Sequence, residues 1–351
     1  MNATASSGDA TTPAAGERTN PILRWTGRIL LGLLALIVVL VASGASYEAI
    51  MAAGDASRYP ARGQRVDVGG YRLHISCIGD GSPTVVLDAG QGGFSLDWSL
   101  IQPELATTTR VCAYDRAGYG WSDPSPQPRT PRQIAEELHT LLGNAGIEGP
   151  YVLVGHSAGG KHVRLYATRH PQDVAGMVLV DARTEYVDAN RSPEALAAEH
   201  KQQRRFQRTI CVAARIGLVR PFWAALWPKV WPATQNLSAE TRAEIGVLQA
   251  RSQQIKTVLR EDAFLTQDNS QLNSAAPLGN VPLIVLAAGQ SVEQDTLWQD
   301  AQEQLARDSS NAKLTIASGS GHYIHWEQPT LVVDAIRQVV EAARANQQLK
   351  P

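Results

Sequence analysis

From residue 65 onward, short apolar runs alternate with segments of helical period. VDVGGYRLHISCIGD (66–80) reads as two strands joined at Gly69-Gly70. PTVVLDAG (83–90), TTRVCAYDRAG (108–118), YVLVG (151–155) and VAGMVLVDA (174–182) are further strands, most of them closed by glycine. Between them, Ile134, Leu138, Leu141 and Leu142 lie on one face of a helix beginning near Pro131, and HVRLYATRHP (162–171) continues the alternation. VPLIVLAAG (281–289), a helix through WQDAQEQLARDS, the strand AKLTIASG (312–319) and a last helix LVVDAIRQVVEAARA complete the pattern. Helices alternating with buried strands predict an α/β fold: a mostly parallel central sheet covered by helices on both faces.

After Ala182 the rhythm breaks and helical sequence takes over. The expected organisation is a core of residues 65–182 and 276–348, with a helical cap, 183–275, inserted after the sixth strand. The cap carries Trp223, Trp227 and Trp231. At helical spacing 223 and 227 share a face. This face either packs the cap onto the core or forms an aromatic ceiling over a cleft at the strand ends.

The amino end has a different pattern. Residues 1–24 open with a polar, small-residue stretch that reads as a disordered tail. Residues 25–47 contain a nearly unbroken apolar span, Ile29 to Ala45, predicted to be a transmembrane anchor. A signal segment cleaved near Ala45 is the competing reading. Arg18, Arg24 and Arg28 precede the span, which favours a main domain outside the cytoplasm, anchored to the membrane or secreted if the segment is cleaved.

Composition narrows the class. A formal charge of -1 with both signs mixed excludes a basic nucleic-acid footprint. Three cysteines do not make a disulfide scaffold; Cys77 and Cys112 fall in strands and read as small buried hydrophobes. No HExxH or clustered histidines point to zinc, and GGKH (159–162) lacks P-loop spacing, so neither metal nor cofactor is expected.

The chemistry centres on VLVGHSAGG (152–160), in which Gly155, Ser157 and Gly159 form G-x-S-x-G between a strand and a helix. A direct strand-to-helix turn strains its middle residue and lifts the serine hydroxyl clear of the sheet at a helix amino end. Flanking glycines relieve the crowding. Serine needs a base, and histidine suits neutral pH. Of eight histidines, His322 in GSGHYIHWEQP follows the last strand in a glycine-rich loop able to reach the elbow. His325 reads as a residue of the substrate pocket, with Trp223 and Trp227.

DAGQGG (88–93), YDRAGYGWSDP (114–124), VGHSAGG (154–160) and SGHYIHWEQP (320–329) stand in this order over a stretch of roughly residues 65 to 345. In these motifs the chain resembles the α/β-hydrolase superfamily of capped serine esterases and lipases. The resemblance implies an oxyanion hole of the Gln91 and Ala158 N–H groups. It also places Arg116, Gly118, Gly120 and Ser122 in the loop that shapes the cleft floor. Family members usually carry an acid three residues beyond the glycine closing strand seven, but here Val292 stands there. Asp181, at the end of strand six, matches the family's second arrangement, with Glu293 and Asp295 as alternatives.

The expected activity is serine hydrolysis of a small, mainly apolar carboxylic ester, or of a lactone or amide, through an acyl-enzyme. Alternatives on the same fold are a catalytically silent binding protein, or haloperoxidase-like or carbon–carbon bond hydrolysis using the same elbow. An aspartate at the elbow, on which the superfamily's epoxide hydrolases and haloalkane dehalogenases rely, is absent.

Overall fold

The computed structural model describes residues 21–350; of the tail expected over residues 1–24, residues 1–20 lie outside these residues, while 21–24 form the first turn of a helix. Eight strands form one sheet: β1 (Gln64–Asp67), β2 (Arg72–Ile78), β3 (Thr84–Asp88), β4 (Val111–Asp115), β5 (Tyr151–His156), β6 (Val174–Val180), β7 (Leu283–Ala288) and β8 (Ala312–Ala317). Their spatial order is β1-β2-β4-β3-β5-β6-β7-β8. The β1–β2 and β2–β4 pairs are antiparallel and the remaining pairs parallel. Every residue of β3, β4, β5 and β7 is buried, as a sheet with helices on both faces requires. One core packs the helices Pro131–Asn144 and Ala158–Arg169 on one face, and the other packs Pro329–Ala345 on the opposite face. Thr130 caps the first of these by accepting from the Gln133 N–H, with Pro131 in the first turn.

The helical cap follows β6, as the break in periodicity predicts, with long helices at Pro193–Arg215, Arg220–Val230, Ala239–Gln249 and Ser252–Asp262. Because β3, β5, β6, β7 and β8 run parallel, their carboxyl ends open on one edge of the sheet. The strand-end loops that carry Ser157, Asp181 and His322 gather there.

The amino-terminal helix runs from Pro21 to Arg58, well past the apolar span. It is long and apolar enough to cross a membrane by length and composition, and its apolar window is wholly unburied. Its last turns belong to the globular domain. Arg220 of the cap reaches Glu48 (2.8 Å) and Asp55 (2.9 Å), Arg251 reaches Asp55 (3.1 Å), and the Tyr59 carbonyl accepts from the Trp121 indole. Glu48 and Asp55 are buried, so these pairs fix the helix to the cap rather than decorate its surface.

Cys77 and Cys112 are not free thiols. They sit directly opposite one another in the β2–β4 ladder and form a disulfide, leaving Cys211 as a buried thiol. Periodicity placed both in strands, but only the antiparallel register joins them. Closing a loop of 35 residues stabilises a fold by about 3–4 kcal/mol in the chain-entropy account. Denatured, unreduced protein is therefore expected to alkylate at Cys211 alone, and prior reduction should lower the melting temperature by several degrees. Three alkylated cysteines without reductant would contradict the bridge.

Candidate active site

Ser157 occupies the turn between β5 and the helix Ala158–Arg169 with φ 50° and ψ -119°, a strained conformation for a residue with a side chain. The surrounding glycines make the turn possible by close approach. A Cβ on Gly155 would lie 2.7 Å from the Gly159 carbonyl carbon, and one on Gly159 would lie 2.4 Å from the Asp88 carbonyl oxygen. Gly160, third in the run, faces the Ala182 methyl at 2.4 Å in the same sense. The Ser157 hydroxyl does not cap the helix it begins; it lines a cavity of about 500 Å³ under the cap.

Gly90, Gln91 and His322 line the same cavity. A Cβ on Gly90 would fall 3.2 Å from the Ser157 Cβ, which places the 90–91 turn directly against the serine. Ala158 opens the elbow helix, where a backbone N–H has no partner within the helix. Among the described residues the Gln91 N–H makes no backbone hydrogen bond.

His322 reaches the cavity with about a third of its side chain exposed, and its Nδ1 lies 2.6 Å from Asp181 Oδ2. The Asp181 carboxylate is fully buried and meets three further donors: the Ala288 N–H (3.0 Å), the Trp298 indole N–H (2.8 Å) and the Ser291 hydroxyl (3.0 Å). A buried carboxylate with four donors is held in one position and can aim an imidazole. The other two acids point elsewhere. Glu293 is exposed, and Asp295 caps the helix Thr296–Ala306 through the Leu297 N–H and pairs with Arg191 at 2.9 Å. Glu327, which the sequence reading passed over, secures the His322 loop by accepting from the Gly321 N–H at 2.7 Å.

Of the three expected pocket residues, Trp223 lines the cavity. Trp227 and His325 stand behind its wall instead. Trp227 is buried against Trp326, at 6.4 Å between ring centroids, because its turn of the cap helix faces the core. His325 is wholly buried between His156 (4.4 Å) and Trp98 (4.9 Å), and its burial pushes its pKa down to about 3, so it is neutral. Burial likewise holds His156 well below the ordinary histidine range. Its Nε2 lies 2.9 Å from the His322 carbonyl oxygen, so it braces the loop and is not a base.

Arg116 has a larger part than floor-shaping. Its guanidinium donates to Asp88 Oδ1 (2.7 Å), the Ala89 carbonyl (2.7 Å) and the Gly90 carbonyl (2.8 Å), and pairs with Glu261 of the cap (3.1 Å). Burial opposes its charge, but Glu261 and Asp88 outweigh this and hold its pKa well above the usual value. One buried cation therefore ties the turn beside Ser157 to both core and cap. YDRAG placed the arginine at a strand end, but nothing in the sequence linked it to residues 88–90 or to Glu261.

The profile of the alpha/beta hydrolase family matches residues 85–335. The chain belongs to this family. Among relatives of known sequence, this hydrolase is 28% identical over 312 residues to a protein of Hormonema carpetanum named "Probable transporter efuK", spanning 81% of its own length but only 43% of that protein's. It is 26% identical over 269 residues to the uncharacterized protein YqjL of Bacillus subtilis, covering 76% and 86% of the two chains. Among solved structures it resembles a thermophilic esterase from Thermogutta terrifontis, with a TM-score of 0.61, 24% identity and coverage of 81% and 99%. The epoxide hydrolase CorEH gives 0.60, 20%, and 77% and 95%. At these identities the likeness is one of fold.

Proposed function

We propose that this hydrolase cleaves a carboxylic ester through a covalent acyl-serine, with Ser157 as nucleophile, His322 as general base and acid, and Asp181 as the orienting acid. The reading rests on one observation: a strained serine, the turn bearing the Gln91 N–H and an aspartate-held imidazole share the wall of a single cavity. The His322 Nδ1–H donates to Asp181, leaving Nε2 as the acceptor for the Ser157 proton. The Ser157 oxygen attacks the ester carbonyl while the Gln91 and Ala158 N–H groups stabilise the oxyanion. His322 then protonates the leaving alcohol, and water activated by the same ring releases the acid. A serine at the elbow, where epoxide opening would need a carboxylate, favours acyl transfer.

The anchor reading belongs to the same proposal. The exposed apolar helix spans the membrane, and the Glu48 and Asp55 pairs with Arg220 hold the cap close to its surface, within reach of lipophilic esters. A disulfide in the core is supported by an oxidising compartment and favours a domain outside the cytoplasm.

The test is labelling of full-length protein in detergent with a fluorophosphonate probe. Wild type is expected to label and Ser157→Ala to lose the label completely. Equal labelling of both, or of neither, would remove Ser157 as the nucleophile.

A further inference from the structure

Asp97 lies in the first turn after the 90–93 loop, is 3% exposed, and lines the same cavity as Ser157. Its Oδ1 is buried without a hydrogen-bond partner. A buried acceptor of this kind is costly unless something supplies a donor. Room is kept for the carboxylate, because a Cβ on Gly93 would come within 2.1 Å of Asp97 Oδ2. Among the described residues no protein group donates to Oδ1, and Asp97 is part of the cavity wall.

The surroundings specify the donor's character. The Trp326 indole donates to the Asp97 carbonyl oxygen at 2.8 Å, fixing its ring beside the acid, and Tyr323 stacks on that ring at 4.5 Å with 7° between planes. Tyr323, Trp326, Trp223 and Trp231 all line the cavity, and aromatic faces attract cations. Among the described residues no lysine or arginine lines it, while Asp97 is its one carboxylate. Arg116 acts on Asp97 at a distance but is already matched by Asp88 and Glu261. An N–H-bearing cation would satisfy the acceptor and the ring faces together, whereas a neutral apolar group would satisfy only the rings.

We infer that Asp97, with the Trp326 and Tyr323 rings, forms a subsite for a protonated amine carried by the substrate. The inference rests on the hydrolase reading for the word substrate, though not for the binding itself. It revises the expected ligand from a mainly apolar ester to an amphiphilic one bearing an alkylammonium group. Burial lifts the Asp97 carboxyl to about 7, so a neighbouring cation would readily draw it into its charged form.

Binding without turnover is measured by calorimetry on full-length Ser157→Ala in detergent. The probes are 2-(dimethylammonio)ethyl butyrate and its carbon isostere 3-methylbutyl butyrate, with a second pair carrying the amine in the acyl half. The ammonium member of at least one pair is expected to bind about tenfold tighter or better. Asp97→Asn on this background should bring the members within about twofold. Gly93→Ala, whose added methyl would displace the carboxylate, should shrink the preference as a second, independent variant. Equal binding within both pairs would overturn the subsite, as would a preference that survives Asp97→Asn. Because no step requires the serine, failed fluorophosphonate labelling of wild type would strike the hydrolase reading alone.

Discussion

Asp181→Asn is expected to lower kcat about 10⁴-fold on a p-nitrophenyl ester, equivalent to about 5 kcal/mol of barrier. The carboxylate holds the His322 Nδ1–H and so leaves Nε2 free to take the Ser157 proton. Asparagine presents an amide that can turn its NH₂ toward Nδ1, which selects the wrong tautomer. It also cannot favour the imidazolium that forms in the transition state. The Ala288 and Trp298 donors would still find the asparagine carbonyl at the Oδ1 position, and the Ser291 hydroxyl can turn to accept from the amide, so the fold should survive and the melting temperature change little. Glu293→Gln and Asp295→Asn serve as comparisons, and both should stay within a few-fold of wild type, since Glu293 faces solvent and Asp295 caps a helix. A larger loss from either than from Asp181→Asn would displace Asp181 from its proposed role.

Arg116→Met is expected to affect both stability and turnover. Removing the guanidinium leaves Asp88 and Glu261 buried without their cation, a change that costs about 3–5 kcal/mol. It also frees the Ala89 and Gly90 carbonyls that hold the turn bearing the Gln91 N–H. A displaced oxyanion donor costs about 10²–10³ in kcat. Glu261→Gln separates the effects, because it removes the cap's charge but leaves Arg116 on the 88–90 turn. It should lose stability while keeping most of kcat. Arg116→Lys should recover some stability but little turnover, since one ammonium cannot span four acceptors. If Arg116→Met melts lower yet turns over at the wild-type rate, the arginine supports the fold alone.

These two residues mark where the sequence stops being sufficient. Strand and helix positions, the cap after β6 and the serine elbow follow from local chemistry: glycine where backbones touch, apolar runs where both faces are covered, and periodicity along a helix. His322 was reachable by elimination, because its loop follows the last strand. Asp181 remained one of three acids, since a carboxylate at a strand end and one in a nearby loop look alike until donors are placed around them. Trp227 shares a helix face with Trp223 but packs on Trp326 because a helix borders a cavity over only part of its length, and His325 turns inward between His156 and Trp98. The Cys77–Cys112 bridge, the clamp of Arg116 on residues 88–90 and the docking of Glu48 and Asp55 on the cap join positions far apart in the chain. The orphaned Asp97 acceptor belongs with them, because burial is a property of the whole packed chain. By itself the sequence determined the elements, the elbow and the family, all written in neighbouring residues. Which acid meets His322, what holds the 88–90 turn and which carboxylate lines the cavity were visible only in the tertiary structure, because those depend on distances between segments that no local pattern encodes.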